Sequence, residues 1–511
     1  GGGGGGGGRP GRAAPAVPTM FRSLSLRNYR IWFAGALVSN IGAWMQATAQ
    51  NWVVLTELSD GDAVAVGITM ALQFGPQLLL VPVSGAIADR FDRRRVLFVT
   101  QSLLMLLAFG LGLLLVVGHA ELWHLYAFAL CLGVVNAFDT PARQAFVSDL
   151  VGPEQLSNAV ALNSASFNSA RLIGPAFAGV LIAAVGSGWV FLINAVSFVS
   201  MLVALAAIHL PRRPLTDAIG ASGRESQASQ LAAGFRYVLR RHDLVVIFVI
   251  VFVIGTFGMN FPVFSSTMAV EFGRGAGEYG LLSSILAIGS LAGALIVAKR
   301  PAARLRTVIA AAGGFGLASL VCALMPTFWS FAAVLVLLGY CTSTLLSTAN
   351  GFVQTTTDPA VRGRVLSLYF AILMGGTPIG APVVGAVADA WGPRWGVGVA
   401  AVAGIVAFGV GVGWLLVERR LRVHVRLRGG SGQRLTVTHA GRPGVHDDPA
   451  AQEETLTAPI SILRRGPVIL SEPTSAPQSG PLSEGITGPV SIEDLRAEGG
   501  SRRVAGEDDR E

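Results

Sequence analysis

Between its second and third apolar runs, the chain gathers a carboxylate and several guanidinium groups within a very apolar sequence. The two runs cover residues 63–87 and 96–117, and at about 20 residues each is long enough to cross a bilayer as a helix. The link, Gly85-Ala-Ile-Ala-Asp-Arg-Phe-Asp-Arg-Arg-Arg95, contains four arginines. Because an excess of Lys and Arg keeps a short loop in the cytosol, we expect these charged side chains at the inner face of a membrane.

Carboxylates that could carry a coupled proton are few. No Asp or Glu falls near the middle of an apolar run, and Glu57, Asp139 and Asp389 fall close to run ends. Proton-driven membrane proteins normally use a buried carboxylate or histidine, and the histidines near these runs, His119, His124 and His209, also lie at their ends. The candidates for proton coupling are therefore Asp139 and Glu57.

Arg171 falls near the middle of the apolar run 158–184. A charge there costs at least about 2.5–3.5 kcal/mol unless it faces protein or a water-filled cavity. Asn168, Arg171 and Pro175 recur at helical spacing and share one face. One interpretation is a cationic cavity wall that attracts an anionic or catecholate-bearing substrate. The other is a structural role, in which Arg171 lies low enough to pair with Asp139.

Uncharged polar residues also interrupt the apolar runs. Because polar groups facing lipid are costly, we expect them to turn inward and line a cavity between two halves of the molecule. The alternative is hydrogen bonding between helices, worth about 1–2 kcal/mol or less per bond. With Asn168 and Arg171, the cavity candidates are Asn40, Trp44, Gln46, Thr48, Gln50, Asn51, Gln73, Gln77 and Asn260.

The composition excludes an ordinary soluble protein. Of 511 residues, 52% are hydrophobic and 13% are charged, whereas soluble domains carry about 25% charged residues. The net charge of +8 is typical of cytosolic loops in a membrane protein, and no nucleic-acid partner is expected. The three cysteines, Cys131, Cys322 and Cys341, lie within apolar runs and share no metal-ligand spacing, so neither disulfides nor a metal site is predicted.

Twelve apolar runs of about 20 residues organise the chain. They lie near residues 31–55, 63–87, 96–117, 122–146, 158–184, 188–209, 244–269, 277–298, 307–325, 329–352, 365–388 and 395–417. With the N-terminus inside, the inner loops hold seventeen Lys and Arg residues and the outer loops hold two. This asymmetry predicts an all-α, multi-pass membrane protein with both termini in the cytosol.

The runs form two groups of six that share an internal repeat. Residues 147–180 align without gaps with residues 353–386 at a constant shift of 206, which pairs the fifth run with the eleventh. Such repeats are typical of transporters built from two related halves, so we predict two pseudo-symmetric six-helix bundles. The expected segments are a disordered 1–21, bundles at 22–209 and 243–417, a cytosolic linker at 210–242 and a largely disordered cytosolic tail at 418–511.

The beginning of the tail carries a different periodicity. Val423 and Val425 alternate with polar residues before Gly429-Gly-Ser-Gly432, and Leu435 and Val437 do so after it. Alternation on both sides of a glycine-rich link indicates a small β-hairpin. The Pro-, Gly-, Ser- and Glu-rich sequence beyond it is typical of a chain without a packed core.

Several motifs resemble those of one family. The spacing Gly-x3-Asp-Arg-x2-Arg-Arg, from Gly85 to Arg94, matches the loop 2–3 signature of the major facilitator superfamily. Further segments are similar to those of enterobactin-exporter-like and macrolide-efflux-like bacterial permeases. These are Ile41-Gly-Ala-Trp-Met-Gln46, Trp52-Val-Val-Leu-Thr-Glu57, Asp139-Thr-Pro-Ala-Arg-Gln144, Arg171-Leu-Ile-Gly-Pro175 and Arg362-Gly-Arg-Val-Leu-Ser367. The resemblance covers about residues 22–417.

The resemblance implies a gate at the loop 2–3 motif. Its glycine is Gly85, and the Asp89 carboxylate would dock at the cytosolic N-terminus of span 11 and hold an outward-facing state. A helix N-terminus favours such an anion because it carries about half a positive charge. The motif arginines Arg90, Arg93 and Arg94 would pair with Asp139, the inner-end carboxylate of span 4. The alternative is that these arginines only orient the hairpin.

The resemblance further implies a monomeric secondary transporter of a bacterial inner membrane. It would export an amphipathic, drug-like or siderophore molecule by alternating access, with a proton as the coupling ion and without a cofactor. An importer or facilitator is the near alternative, and a membrane sensor or scaffold that acts through the tail is a more distant one. Because the sequence has no catalytic triad, metal cluster or phosphate loop, an enzyme is not expected.

Overall fold

A computed structural model describes residues 19–209, 234–300, 302–418, 421–425 and 435–439. Most of the predicted N-terminal segment, most of the linker and nearly all of the tail lie outside these residues. Twelve helical spans run through the described part of the chain. They are α1 (Arg27–Val53, continued by a π-helical turn Val54–Leu58), α2 (Ala63–Arg90), α3 (Arg93–Val117), α4 (Leu122–Leu150), α5 (Pro153–Val185), α6 (Ser187–Ala207), α7 (His242–Val253, Ile254–Gly258 and Phe261–Glu271), α8 (Ala276–Ala298), α9 (Leu305–Leu324), α10 (Phe328–Thr356), α11 (Arg362–Gly375 and Thr377–Trp391) and α12 (Pro393–Glu418).

Eleven of the described helices, α2 to α12, are long and apolar enough to cross a membrane. The helix predicted as the first span, α1, is not among them by apolarity, although it has 27 residues. The reason is its polar content, which includes Asn40, Gln46, Gln50 and Asn51. Its polar residues are largely buried against the other helices, so packing within the bundle compensates for its low hydropathy.

Local sequence chemistry explains where the helices begin and end. Asp62 caps α2 by accepting a hydrogen bond from the amide of Ala65 at 3.1 Å, and Asp92 caps α3 through the amide of Arg94 at 2.9 Å. These carboxylates satisfy amides that have no partner within the helix. Gly118 ends α3 with φ of +76°, a left-handed conformation that glycine adopts at little cost.

The helix packing repeats with an offset of six helices. In the first half, α1 packs against α5 and α6, α2 against α4, and α3 against α4 and α6. In the second half, α7 packs against α11 and α12, α8 against α10, and α9 against α10 and α12. This correspondence confirms the predicted all-α architecture of two pseudo-symmetric six-helix bundles.

The internal repeat reappears in glycine contacts. Gly174 of α5 packs against Trp44 in α1, and its repeat partner Gly380 of α11 packs against Thr256 in α7. A larger side chain at either position would clash with the facing helix, so both copies of the repeat bring two helices close together. Small residues thus allow close helix packing at these sites.

The two ends of the bundle differ, and we name them by what they carry. The "basic end" holds the α2–α3 link and the first turn of α11, and the "closed end" holds the α1–α2 link and the last turn of α11. At the closed end, α2 meets α11 and α5 meets α8. There, a Cβ on Gly67 would be 2.5 Å from the carbonyl oxygen of Ala381, and the hydroxyl of Ser284 donates to the carbonyl of Leu172 at 2.7 Å.

Exposed tryptophans mark the closed end. Five of them lie at or next to the helix termini of that end: Trp123, Trp189, Trp329, Trp391 and Trp395. Tryptophan concentrates at membrane–water interfaces, because its ring is amphipathic. These side chains therefore identify the level at which the closed end meets the lipid headgroups.

The predicted hairpin follows α12. Strand β1 (Leu421–Val425) pairs antiparallel with β2 (Leu435–His439), and the register places Val423 opposite Val437. The glycine-rich link predicted as the turn connects the two strands in sequence, and the hairpin prediction is correct.

Candidate functional site

A buried carboxylate forms the centre of the first half. Asp139 of α4 is 3% exposed, and its Oδ1 accepts hydrogen bonds from Thr100 and Gln101 of α3, both at 2.7 Å. Its Oδ2 lies 3.1 Å from the guanidinium of Arg143, one helical turn along α4. An ionised carboxylate with this many donors is well satisfied in a site that excludes water.

The network continues from Arg143 into two further helices. Nη1 of Arg143 donates to the amide oxygen of Asn40 in α1 at 3.4 Å, and the amide nitrogen of Asn40 donates to Ser166 in α5 at 3.4 Å. Asn40 was a candidate for the cavity wall, and the structure places it, half-buried, between the ion pair and α5. The polar network thus joins α1, α3, α4 and α5.

The expected pairing of the loop arginines with Asp139 is wrong for the two whose side chains are described. Arg93 binds Asp149 at the basic end of α4, at 2.9 Å. Arg94 donates to the carbonyl groups of Leu205 and Ala206 at the end of α6. Asp139 lies too deep for them, since it is more than two turns from the end of α4. The motif glycine, Gly85, is half-buried, and the side chains of Asp89 and Arg90 lie outside those that the structure describes.

Within the described part of the chain, Arg171 pairs with neither a carboxylate nor an amide. Its guanidinium lies over the ring of Trp44 in α1, 5.7 Å from the ring centroid, and Phe167 approaches the same ring edge-on at 5.6 Å between centroids. Asp139, the partner expected for a structural role, binds Arg143 instead, so the predicted pairing of Arg171 with Asp139 is wrong. Among the described residues, Arg171 is therefore a cation held by an aromatic face alone, an attraction of about 0.5–2 kcal/mol.

One stripe of α5 is covered at the closed end and open further down. At the closed end, Leu172, Pro175 and Gly179 meet α8. One turn toward the basic end, the same stripe continues with Asn168, which is exposed and donates to the carbonyl of Ser164 in its own helix. The two halves thus separate below Leu172. Arg171, Trp44 and Asn168 lie where this opening begins.

Several cavity candidates belong instead to contacts between helices. Gln46 accepts a hydrogen bond from Asn194 of α6 at 2.6 Å, and Gln50 donates to Gln73 of α2 at 2.9 Å. Gln46 and Gln50 are almost fully buried, so they serve helix packing in the first half. A cavity-lining role for these two residues is not supported.

The remaining candidates bond mainly within their own helices. Thr48 donates to the carbonyl of Trp44, Asn51 to that of Ala47 and Gln77 to that of Gln73. Thr48 and Asn51 are buried, whereas Gln77 is partly accessible. Asn260 was expected in the cavity wall, but it is fully buried and donates to the carbonyl of Thr256. Gly376 and Gly380 of α11 pack closely against Thr256. Because α11 covers this region, the placement of Asn260 in the cavity wall is wrong.

The second coupling candidate, Glu57, lies at the closed end. It is exposed in the π-helical turn after α1, and its Oε2 accepts a hydrogen bond from Ser187 at the start of α6 at 2.7 Å. Glu57 therefore lies at the closed end and Asp139 in the interior of α4, and the two do not form one site. In the part of the chain that the structure describes, no three His, Cys, Asp or Glu side chains gather as metal ligands.

Sequence reasoning missed the partners of these residues. Asp139 and Arg143 stand four residues apart in a helix, a spacing that favours an ion pair, so that pair was available from the sequence. The Asp149 partner of Arg93 and the Asn194 partner of Gln46 are 56 and 148 residues distant. No local signal indicates such contacts.

Comparison with known proteins adds the family context. Residues 18–421 match the family described as transmembrane secretion effector. The chain is 28% identical over 363 residues to the enterobactin exporter EntS of Shigella boydii, covering 70% of this chain and 84% of that protein. It is 26% identical over 369 residues to the staphyloferrin A transporter of Staphylococcus aureus, covering 71% of this chain and 90% of that protein.

Solved structures show the same fold at low sequence identity. A bacterial homologue of the human lysosomal transporter Spinster matches with a TM-score of 0.58 and 13% identity, over 75% of this chain and 96% of that chain. A bacterial homologue of the iron transporter ferroportin matches with a TM-score of 0.57 and 17% identity, over 76% of this chain and 98% of that chain.

Proposed function

Because this chain belongs to the transmembrane secretion effector family of the major facilitator superfamily, and is a transporter rather than an enzyme, we propose that it exports a small amphipathic molecule by alternating access. Its relatives are an enterobactin exporter and a staphyloferrin A transporter, so a siderophore or a compound of similar chemistry is the substrate class we favour. Bacterial relatives of this multi-pass family support a bacterial inner membrane as its location.

The observation that carries the proposal is a cation at the opening between the halves that has no ion pair among the described residues. Arg171 lies over Trp44, beside the exposed Asn168, where α5 separates from α8. A guanidinium beside an aromatic face suits a ligand that combines an anionic or catecholate group with an apolar ring. The site is near the middle of its span, where transporters of this architecture bind substrates between their halves.

In the proposed cycle, the halves 22–209 and 243–417 rock about this site, and the linker 210–242 joins them in the cytosol. The arginine excess of the basic end supports a cytosolic orientation of that end and of both termini. Gly85, Asp89 and Arg90 form the gate there, as the family resemblance implies. Asp139, the buried carboxylate, is the favoured proton-coupling residue, and the transporter works as a monomer in the bilayer.

Accumulation of siderophores, macrolides and dyes in an efflux-deficient host tests the proposal. Cells carry the wild type or Asp89→Asn at matched membrane expression, with and without a protonophore. We expect lower accumulation of at least one anionic or catecholate compound with the wild type, and loss of this difference with the variant and on uncoupling. Export that survives the protonophore would contradict proton coupling. Equal accumulation of every compound in wild-type and empty-vector cells would contradict export of this substrate class.

A further inference from the structure

Asp389, in the last turn of α11, binds the first turn of a helix from the other half. Its Oδ1 accepts a hydrogen bond from the amide of Ala63 and its Oδ2 one from the amide of Val64, both at 2.8 Å. These amides open α2, where the first N–H groups have no partner within the helix and the dipole favours an anion. The N-cap residue of α2, Asp62, serves the amide of Ala65 instead. Asp389 therefore completes the cap of α2 from across the interface.

A glycine one turn earlier allows this approach. A Cβ on Gly385 would lie 2.5 Å from the carbonyl oxygen of Ala63 and 2.9 Å from the Cα of Val64. Both atoms belong to the backbone and cannot move aside like a flexible side chain. Any other residue at 385 would push α11 away from α2 and lengthen the hydrogen bonds of Asp389. Gly385 and Asp389 thus act together.

The same five-residue pattern occurs at the opposite end of the same helix pair. Gly85-Ala-Ile-Ala-Asp89 closes α2, and Gly385-Ala-Val-Ala-Asp389 closes α11. Because α2 and α11 run antiparallel, the first pattern lies at the basic end and the second at the closed end. The second pattern ends α11 beside the beginning of α2. The structure shows the closed-end pattern engaged.

The α5–α8 contact at this end has no such carboxylate across the interface among the described residues. Under the shift of 206, Gly385 corresponds to Gly179, which packs against Ala276 at the start of α8. Asp389 corresponds to Ala183. The first turn of α8 is capped from its own helix, by Glu278 through the amide of Gly275 at 3.2 Å. The charged clamp of the closed end, within the described residues, is therefore on the α2–α11 side.

We infer that Gly385 and Asp389 form a positioning site that holds the closed end together in this conformation, and that opening this end requires both hydrogen bonds of Asp389 to break. The inference rests on the proposed transport cycle. The patterns at 85–89 and 385–389 then act on the same two helices in alternate states. Weakening one of them shifts the population toward the state that the other holds.

Cysteine labelling at a distant point of the same interface tests the inference. Ala276→Cys lies at the α5–α8 contact, where the native residue is 6% exposed, and it is introduced with Cys131→Ser because Cys131 is exposed whereas Cys322 and Cys341 are buried. The purified protein in lipid nanodiscs is labelled with a maleimide. Asp389→Ala is expected to raise the labelling rate about fivefold to tenfold, as for loss of a helix cap. A merely local role of Asp389 would leave the rate at α8 unchanged.

The matched control is Glu271→Gln. Glu271 and Asp389 line one cavity of about 400 Å³ at the closed end, but Glu271 lies 3.8 Å from Arg394 of its own half. Its labelling rate should equal that of the parent. Asp389→Asn, which keeps one acceptor, should give an intermediate labelling rate. If Asp389→Ala does not fold, Gly385→Ala takes its place as the test variant and should raise the labelling rate.

Parent-like labelling in folded Asp389→Ala, or in folded Gly385→Ala if Asp389→Ala does not fold, would overturn the inference. The assay uses no substrate, so it separates this inference from the proposed function. A chain that exports nothing can still show the labelling change, and an active exporter can lack it.

Discussion

Asp139 and Arg143 form a buried ion pair within α4, with Oδ2 and Nη2 3.1 Å apart and side chains 4% and 18% exposed. The pair is neutral as a unit, and its remaining hydrogen bonds reach α1 and α3. Its members differ in what they can do. The carboxylate is the member that can take up a proton, since an arginine stays charged in proteins. Protonation of Asp139 would leave Arg143 without its counter-charge and weaken contacts among three helices.

Asp139→Asn should destabilise the protein strongly. Breaking a buried pair leaves an uncompensated charge, at a cost of about 3–5 kcal/mol. The double variant Asp139→Asn/Arg143→Gln removes both charges and should recover most of that loss in thermal unfolding in detergent. If the double variant folds, substrate movement that no longer responds to a protonophore supports Asp139 as the coupling residue. An unchanged unfolding temperature for Asp139→Asn would contradict the energetic role of the pair.

Arg171→Gln should alter substrate choice more than stability. Because Arg171 has no ion pair among the described residues, its loss removes only a cation–π contact of about 0.5–2 kcal/mol. Export of an anionic dye should fall at least several-fold relative to a neutral dye of similar size. Arg274→Gln is the comparison, since Arg274 lies over Phe328 at 5.6 Å and 4.0 Å from Glu278, in a closed-end link away from the opening. Equal loss for both dyes would indicate that Arg171 supports the fold instead.

The ion pair between Arg93 and Asp149 should anchor the α2–α3 link to α4. Their side chains are 29% and 19% exposed, so a double-mutant cycle with Arg93→Gln and Asp149→Asn should give a coupling energy of about 1 kcal/mol. Arg95→Gln is the control, because Arg95 is 79% exposed and 3.8 Å from Asp92. Additive effects of the two substitutions would show that the pair contributes no stability.

Truncation after Glu418 should leave transport largely intact. The last helix of the bundle ends at this residue, the family match ends at residue 421, and every candidate site residue precedes it. Export per molecule in the membrane is compared for the full chain and for the variant that lacks 419–511. Loss of function at normal expression would favour the alternative of a sensor or scaffold that acts through its tail.

The spans and the fold could be predicted because each depends on a property of consecutive residues. The length of an apolar run identifies a membrane-spanning helix such as α8, and the imbalance of loop charge predicts the direction in which each helix crosses the membrane. The predicted span near 31–55 corresponds to α1 even though the hydropathy of this helix is low. It could be predicted because its polar residues are set within an apolar run that is long enough to span a membrane. The repeat at a shift of 206 supplied the pseudo-symmetry, which the contacts of Gly174 and Gly380 reproduce.

The site was harder to predict because it depends on which side chains meet. Gln46 and Gln50 are polar residues of a type that also lines cavities. Only the positions of Asn194 and Gln73 show that they form hydrogen bonds between helices. Asp139 lies too deep in α4 to reach Arg93. The motif at the end of α2 gives no information on this depth, so the wrong partner was predicted. Arg171 was recognised because a charge near mid-membrane is costly wherever its neighbours lie.

The one-sided placement of the exposed tryptophans makes the intrinsic fluorescence of this protein an asymmetric signal. Five rings lie at one headgroup level, while Trp32 is fully buried near the other. In sealed vesicles, a quencher that cannot cross the bilayer should dim the emission strongly from the side that the closed end faces, and only weakly from the other side. The emission of the unlabelled chain therefore reports which way each population was inserted.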